Sequence, residues 1–298
     1  MTQTKDSYVR LHLAILLAGG TGLFGRLISI GELPLVCLRV IVSAIILAFV
    51  LGAQKKLHAI PRKTLMKIMG TGVLLSVHWV FYYGSIKAAN ISIGAVCFAL
   101  VGFFTAIIEP MIDRKKPSVQ EILLSIFTVA GILLIFGLDP RYRLGIAIGI
   151  VSSLIFTFFS ISSKRVQASA GQSSSTMLLY QMTGGAIVLS LCVPLYSKAF
   201  PEVGIVPTSN DIWYLLLFSS VFTVAPFLLQ LQALRHISAF TVNLSYNLEP
   251  VYTILLAMII FNEASELNLS FWIGISFIIL SVVLQTIVSL RKQNKQTK

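Results

Sequence analysis

The chain has 298 residues, of which 56% are hydrophobic and 11% charged, with a mean hydropathy of +0.87 and a formal net charge of +12. Soluble domains carry about 25% charged residues and about 45–50% apolar ones, so this composition excludes a soluble enzyme and describes a membrane protein. The fold class expected is all-α, and the basic excess is a topology signal rather than a sign of nucleic-acid binding.

About 20 apolar residues are needed to cross the hydrocarbon core as a helix, and ten stretches qualify: 12–31, 34–53, 66–86, 91–112, 119–138, 144–163, 176–196, 212–233, 239–261 and 269–290. The first contains "AILLAGGTGLFGRL", with the spacing Gly20-x-Gly22-x-x-Gly25 of a dinucleotide-binding turn. That motif needs a strand before it and an amphipathic helix after it. Long, nearly uncharged stretches follow instead, so no cofactor is expected. In a helix, Ala18, Gly22, Gly25 and Ser29 form one small-residue stripe that lets another helix approach closely. Arg26, near the end of this span, reads as a side chain that snorkels to the headgroups.

In the second span Arg39 lies about five residues from the end, where it either binds a carboxylate bidentately or snorkels. The third, "SVHWVFYYGSIK", pairs His78 with Tyr82 and Trp79 with Tyr83 at helical spacing, so that one face lines a cavity and the other meets lipid or a neighbouring helix. Tyr83 and Lys87 read as part of an interfacial belt, and the Tyr83-x-x-x-Lys87 spacing has no catalytic meaning. Glu109, before Pro110 in span four, reads as the partner of a basic loop. Spans seven to nine supply Tyr180, Gln181, Gln230, Asn243, Tyr246 and Asn247. Glu249 stands near the middle of span nine, where an ionisable group costs roughly 2.5–3.5 kcal/mol by insertion scales and so calls for a reason. Pro250 beside it frees a backbone carbonyl. Cys37, Cys97 and Cys192 lack metal-ligand spacing and read as packing residues; neither a metal nor a catalytic constellation is expected.

Short cytoplasmic loops carry the excess of Lys and Arg. With the N-terminus inside, seventeen fall on the cytoplasmic side, including Lys55, Lys56, Arg62, Lys63, the run Arg114 to Lys116, Lys164, Arg165 and Arg235. Lys87, Arg141, Arg143 and Lys198 fall outside, and Arg26 and Arg39 within spans. Both termini are therefore expected in the cytoplasm, with the chain multi-pass in the cell (inner) membrane.

The halves repeat. "SIKAANISIGAVCFALVGFFTAII" from Ser85 overlies "ALRHISAFTVNLSYNLEPVYTILL" from Ala233 at an offset of 148, matching Lys87 with Arg235 and Thr105 with Thr253. Five crossings per half deliver the second half to the opposite face, so the repeats are inverted. Arg114 to Lys116 follow span four, whereas Glu263 and Glu266 follow span nine, as expected of equivalent loops on opposite sides.

The stretch "ALRHISAFTVNLSYNLEPVYTILLAMIIFNE", together with Pro34 and Arg39, resembles the EamA domain of the drug/metabolite transporter superfamily. The first half departs from it, with Gly102 where the proline stands and Lys115 where the glutamate stands. The resemblance implies ten transmembrane helices as two inverted five-helix repeats, residues 1–138 and 139–298, around a central cavity. It also implies a permease exporting a small polar metabolite such as an amino acid. The expected cavity residues are Glu249, Arg39, His78, Trp79, Tyr82, Gln181, Gln230, Asn243 and Tyr246, with Glu109, Tyr180 and Asn247 behind them. The partners expected are a small-molecule substrate and the lipid bilayer, with no nucleic acid, and a monomer and a homodimer both stay open. A membrane-embedded enzyme and a lipid-handling or scaffold protein are the alternative readings.

Overall fold

The computed structural model describes residues 2–57, 59–136, 142–262 and 269–296, and they are helical with short connections. In chain order the helices are α1 (Thr2–Gly19), α2 (Thr21–Leu27), α3 (Glu32–Ala53), α4 (Arg62–Ala88), α5 (Ile91–Phe98), α6 (Leu100–Asp113) and α7 (Val119–Phe136). Then come α8 (Arg143–Ala170), α9 (Ser174–Ala199), α10 (Ser209–Ser219), α11 (Ala225–Ala233), α12 (Ala239–Ser245), α13 (Glu249–Phe261) and α14 (Leu269–Gln296). Among the described residues seven helical stretches are long and apolar enough to cross a membrane: Asp6–Leu27, Glu32–Ala53, Arg62–Ala88, Ile91–Asp113, Arg143–Ala170, Ser174–Ala199 and Ser209–Ala233. The remaining expected spans are helical too, as α7, as α12 with α13, and as α14. Glu263, Glu266 and Arg141 lie outside the described residues.

Several spans that read as continuous helices are broken, and local chemistry accounts for most of the breaks. Between α1 and α2 the pair Gly19 and Gly20 weakens the helix, and the Gly20 N–H turns to the Leu17 carbonyl three residues back. Between α10 and α11 residues Ser220–Val224 form a π turn, followed at once by Pro226. Proline has no N–H to return to the carbonyl four residues earlier, and π turns absorb such a defect. Pro250 acts likewise: residues Tyr246–Leu248 tighten into a 3₁₀ turn, and α13 starts afresh at Glu249. The break between α5 and α6 falls at Ala99, whose N–H bonds to the Val96 carbonyl; no proline explains it.

Glycines set the closest crossing. A Cβ at Gly184 would come within 2.5 Å of the Met69 carbonyl oxygen, and one at Gly185 within 2.8 Å of the Ser76 Cβ. Helices α4 and α9 therefore pack backbone to backbone, the usual solution where lipid offers no hydrophobic drive for association. Phe49, Leu191, Leu195 and Ile259 project outward from the bundle, a surface suited to lipid and a liability in water. The largest buried cluster runs through α1, α3, α4, α8, α9 and α11, while α7 packs against α14.

One face of the bundle is closed by the Lys87 ammonium on the Ile30 carbonyl, by Ser29 on Asp211 (2.8 and 2.7 Å) and by the Gly31 N–H on the Gly204 carbonyl (2.8 Å). The opposite face is closed by Arg10 on Gln232, Lys164 on the Leu234 carbonyl and Gln167 on the Leu231 carbonyl.

Candidate functional site

The site is built around an arginine. Arg39 sits two turns into α3 and is fully buried, so it does not snorkel. Its guanidinium carbon lies 3.7 Å from the ring centre of Trp79 and 4.1 Å from that of Phe218, a sandwich between α4 and α10. A desolvated cation–π contact contributes about 2 kcal/mol. Nε donates to the Thr223 hydroxyl at 2.7 Å, which itself donates to the Phe218 carbonyl five residues back. The π turn thus presents Thr223 to the arginine. Nη1 donates to the Tyr83 hydroxyl at 3.2 Å. Nη2 has no partner among the described residues.

Beside this arginine lies a small cavity of about 20 Å³, lined by Ala18, Thr21, Arg39, His78, Trp79, Tyr82, Phe98, Phe156, Phe227, Tyr246 and Glu249. A water needs roughly 10–15 Å³ of such space, so the void holds about one. Glu249 opens α13 at the 3₁₀ break and is buried within electrostatic reach of Arg39. The hydroxyls of Tyr82 and Tyr246 are buried without partners among the described residues. An arginine N–H and two phenol hydroxyls, each without a hydrogen-bond partner among the described residues, thus border one void together with the Glu249 carboxyl. Buried polar groups are nearly always satisfied, and this void gathers three exceptions.

Of the sequence candidates, Glu249, Arg39, His78, Trp79, Tyr82 and Tyr246 come together here. His78 is held by Ser152, whose hydroxyl and carbonyl lie 2.8 and 3.0 Å from Nδ1. Tyr83 is fully buried and its hydroxyl donates to the Thr21 carbonyl at 3.3 Å, so it belongs to no interfacial belt. The aromatic stretch of α4 is enclosed on both of its faces, its second face against neighbouring helices rather than lipid, because α4 packs between α8 and α9.

Other candidates lie elsewhere. Gln181 donates to the Thr71 and Ser163 hydroxyls at 2.9 and 2.7 Å, tying α9 to α4 and α8. Asn243 accepts from Ser160 at 2.7 Å and donates to Thr105 at 3.0 Å, a link between α12, α8 and α6. Both serve helix packing. Gln230 is buried but off the cavity wall. Tyr180 packs, half-buried, against the core cluster. Glu109 is half-buried within electrostatic reach of Lys164, in keeping with a basic partner. The Asn247 side chain lies outside the described residues. Arg26 is exposed, its guanidinium over the Phe261 ring. Sequence reasoning missed Thr21, Thr223, Phe98, Phe156 and Phe227. Phenylalanines in apolar spans carry no signal of their own, although at the 148-residue offset Phe98 matches Tyr246 and Phe227 matches Trp79.

A probable sugar phosphate/phosphate translocator of Arabidopsis thaliana is 23% identical over 239 residues, 78% of this chain and 76% of that protein. A crystal structure superimposes with a TM-score of 0.71 at 15% identity, covering 96% of this chain and 98% of the other, so the fold is shared. The description of the EamA-like transporter family, within the drug/metabolite transporter superfamily, matches residues 8–137 and again residues 143–287. The chain is a multi-pass membrane protein and belongs to the EamA-like transporter family.

Proposed function

We propose that this transporter carries a small polar metabolite with both an amine and a carboxylate, an amino acid or related compound, out of the cell by alternating access. The carrying observation is the cavity border: Arg39 Nη2 and the hydroxyls of Tyr82 and Tyr246 offer donors, and Glu249 offers the acceptor. A substrate carboxylate suits the arginine, and an ammonium suits the glutamate. The plant relative is named for sugar phosphates and phosphate, but a phosphate ester with up to two negative charges would meet a single cation and a carboxylate on this wall. That favours the zwitterion.

Two inverted five-helix repeats, residues 1–138 and 139–298, supply the means of exchange, each with five membrane crossings. The main helix neighbours support this reading: α4 with α8 answers α1 with α11, and α6 with α8 answers α1 with α13. The helix breaks support it too, since Phe98 and Tyr246 sit at equivalent positions, each at a break and each on the cavity wall. Discontinuous helices at the repeat interface are where secondary transporters hold their substrates. The distribution of Lys and Arg supports cytoplasmic termini in the cell (inner) membrane. A membrane-embedded enzyme, a scaffold or a lipid-handling protein needs no such symmetric closure.

The test is counterflow in proteoliposomes. Vesicles loaded with the common L-amino acids should accumulate at least one labelled L-amino acid, and Glu249→Gln should weaken its half-saturation about tenfold or more, the effect of a charged hydrogen bond worth 1.5–3 kcal/mol. Folded wild-type protein that carries none of them, or that carries hexose phosphate instead, rejects the substrate reading.

A further inference from the structure

Trp79 on α4 and Phe227 on α11 are equivalent at the 148-residue offset, and their rings meet edge to face at 4.9 Å on the cavity wall. One turn further along each helix stand Tyr82 and Gln230, again equivalent at that offset. The two helices run antiparallel. The end of α4 reaches the face where Lys87 meets Ile30, whereas the end of α11 reaches the face where Arg10 meets Gln232. Tyr82 and Gln230 therefore lie on opposite sides of the ring pair, separated by two steps of three residues, about 9 Å along the bundle.

Their surroundings differ. Tyr82 borders the cavity with a free hydroxyl. Gln230 is buried off the cavity, and neither end of its amide has a partner among the described residues. The other buried glutamines described, Gln167 and Gln181, each donate two hydrogen bonds. A glutamine kept only for packing would be tied in the same way, because a buried amide unsatisfied at both ends is costly and an apolar residue of that size would pack better.

We propose that Gln230 is the substrate contact of the state open to the Arg10 side, a specificity-determining residue on that side of the cavity. When the halves exchange conformations, Gln230 takes the position that Tyr82 holds now, and Tyr82 is sealed behind the ring pair. The amide offers both a donor and an acceptor where the phenol offers a hydroxyl on a flat ring, so the two openings grip the substrate differently. This assignment rests on the alternating-access reading above.

Sided thiol labelling tests it. In full-length protein with Cys37, Cys97 and Cys192 replaced by Ser, single variants Gln230→Cys and Tyr82→Cys meet an impermeant charged methanethiosulfonate in right-side-out and inside-out membrane vesicles. Gln230→Cys should react at least tenfold faster from the Arg10 face, and Tyr82→Cys at least tenfold faster from the Lys87 face. A Gln230→Cys protein that is inert from both faces, or equally reactive from each, overturns the proposal. Labelling needs no known substrate, so sided reactivity without amino-acid counterflow rejects only the substrate reading. Counterflow with an inert Gln230→Cys rejects only this assignment. Should the cysteine variants not fold, Gln230→Leu in the wild-type chain carries the test. The half-saturating amino-acid concentration on the Arg10 face should then rise about tenfold relative to that on the Lys87 face, and an unchanged ratio overturns the proposal.

Discussion

Replacing Arg39 by Met keeps the length and the apolar stem but removes the charge between Trp79 and Phe218. The 2.7 Å bond to Thr223 and the 3.2 Å bond to Tyr83 are lost with it, at about 1.5–3 kcal/mol each for a charged group. The cation–π contacts at 3.7 and 4.1 Å go as well, although Met still fills most of the slot between the rings. Glu249, within reach of that charge, is left as a buried carboxylate without its cation. The two lost bonds together cost about 3–6 kcal/mol, which for a domain of this size lowers the melting temperature by roughly 10 °C. Glu249→Gln removes the demand for a cation. The double variant should therefore lose less than the two single variants together, with a coupling of about 1–3 kcal/mol. Thermal melts of the four purified proteins in one detergent, followed by size-exclusion recovery, read this directly. An Arg39→Met protein that melts within about 2 °C of wild type, or strictly additive losses, would refute a coupled pair at the cavity.

In a cysteine-free protein, cysteines placed at Ala59 and Ser209 should react with an impermeant reagent from opposite sides of the membrane, Ala59 from the cytoplasm; labelling of both from the same side rejects the topology. At Gly22 an added Cβ would stand 2.8 Å from Thr253 Cγ2 and 3.2 Å from Ile91 Cγ2, so Gly22→Leu should cost about 1–3 kcal/mol through overpacking and visibly reduce folded yield, whereas a stable Gly22→Leu protein would mean that α2 can move away from α13 and α5.

The helical segments were legible because a lipid-facing helix needs only length and apolarity, and both are local properties of the sequence. Breaks were legible only in part. Pro250 and Pro226 announce theirs, whereas Ala99 follows an unremarkable "IGAVCF" and its break is visible only in three dimensions. Among the site residues, those with a charge or ring nitrogen out of place in hydrocarbon were found, because the expense of burying them is itself the signal. Amides were harder. Gln181 and Asn243 look like Gln230 in sequence, and what separates them is whether a hydroxyl from another helix stands within 3 Å, as Ser163 and Thr105 do. Tyr83 and Arg39 show the same limit from the other direction. Both stand close enough to a span end to reach the headgroups, yet packing against α2, α10 and the π turn holds them inside.

The unsatisfied groups around the cavity bear on its energetics as well as on its ligand. A void for about one water leaves Arg39 Nη2, Tyr82 and Tyr246 unpartnered beside Glu249, and a single water with four bonds gives each of these groups at most one. A substrate that supplies a carboxylate to the arginine and an amine to the glutamate would satisfy more of them, provided the void expands to admit it. Expansion means parting the rings of Trp79 and Phe227, and those rings belong one to each half of the chain. On the alternating-access proposal, loading the site and loosening the contact between the halves would then be one event, the coupling of binding to exchange that such a mechanism requires.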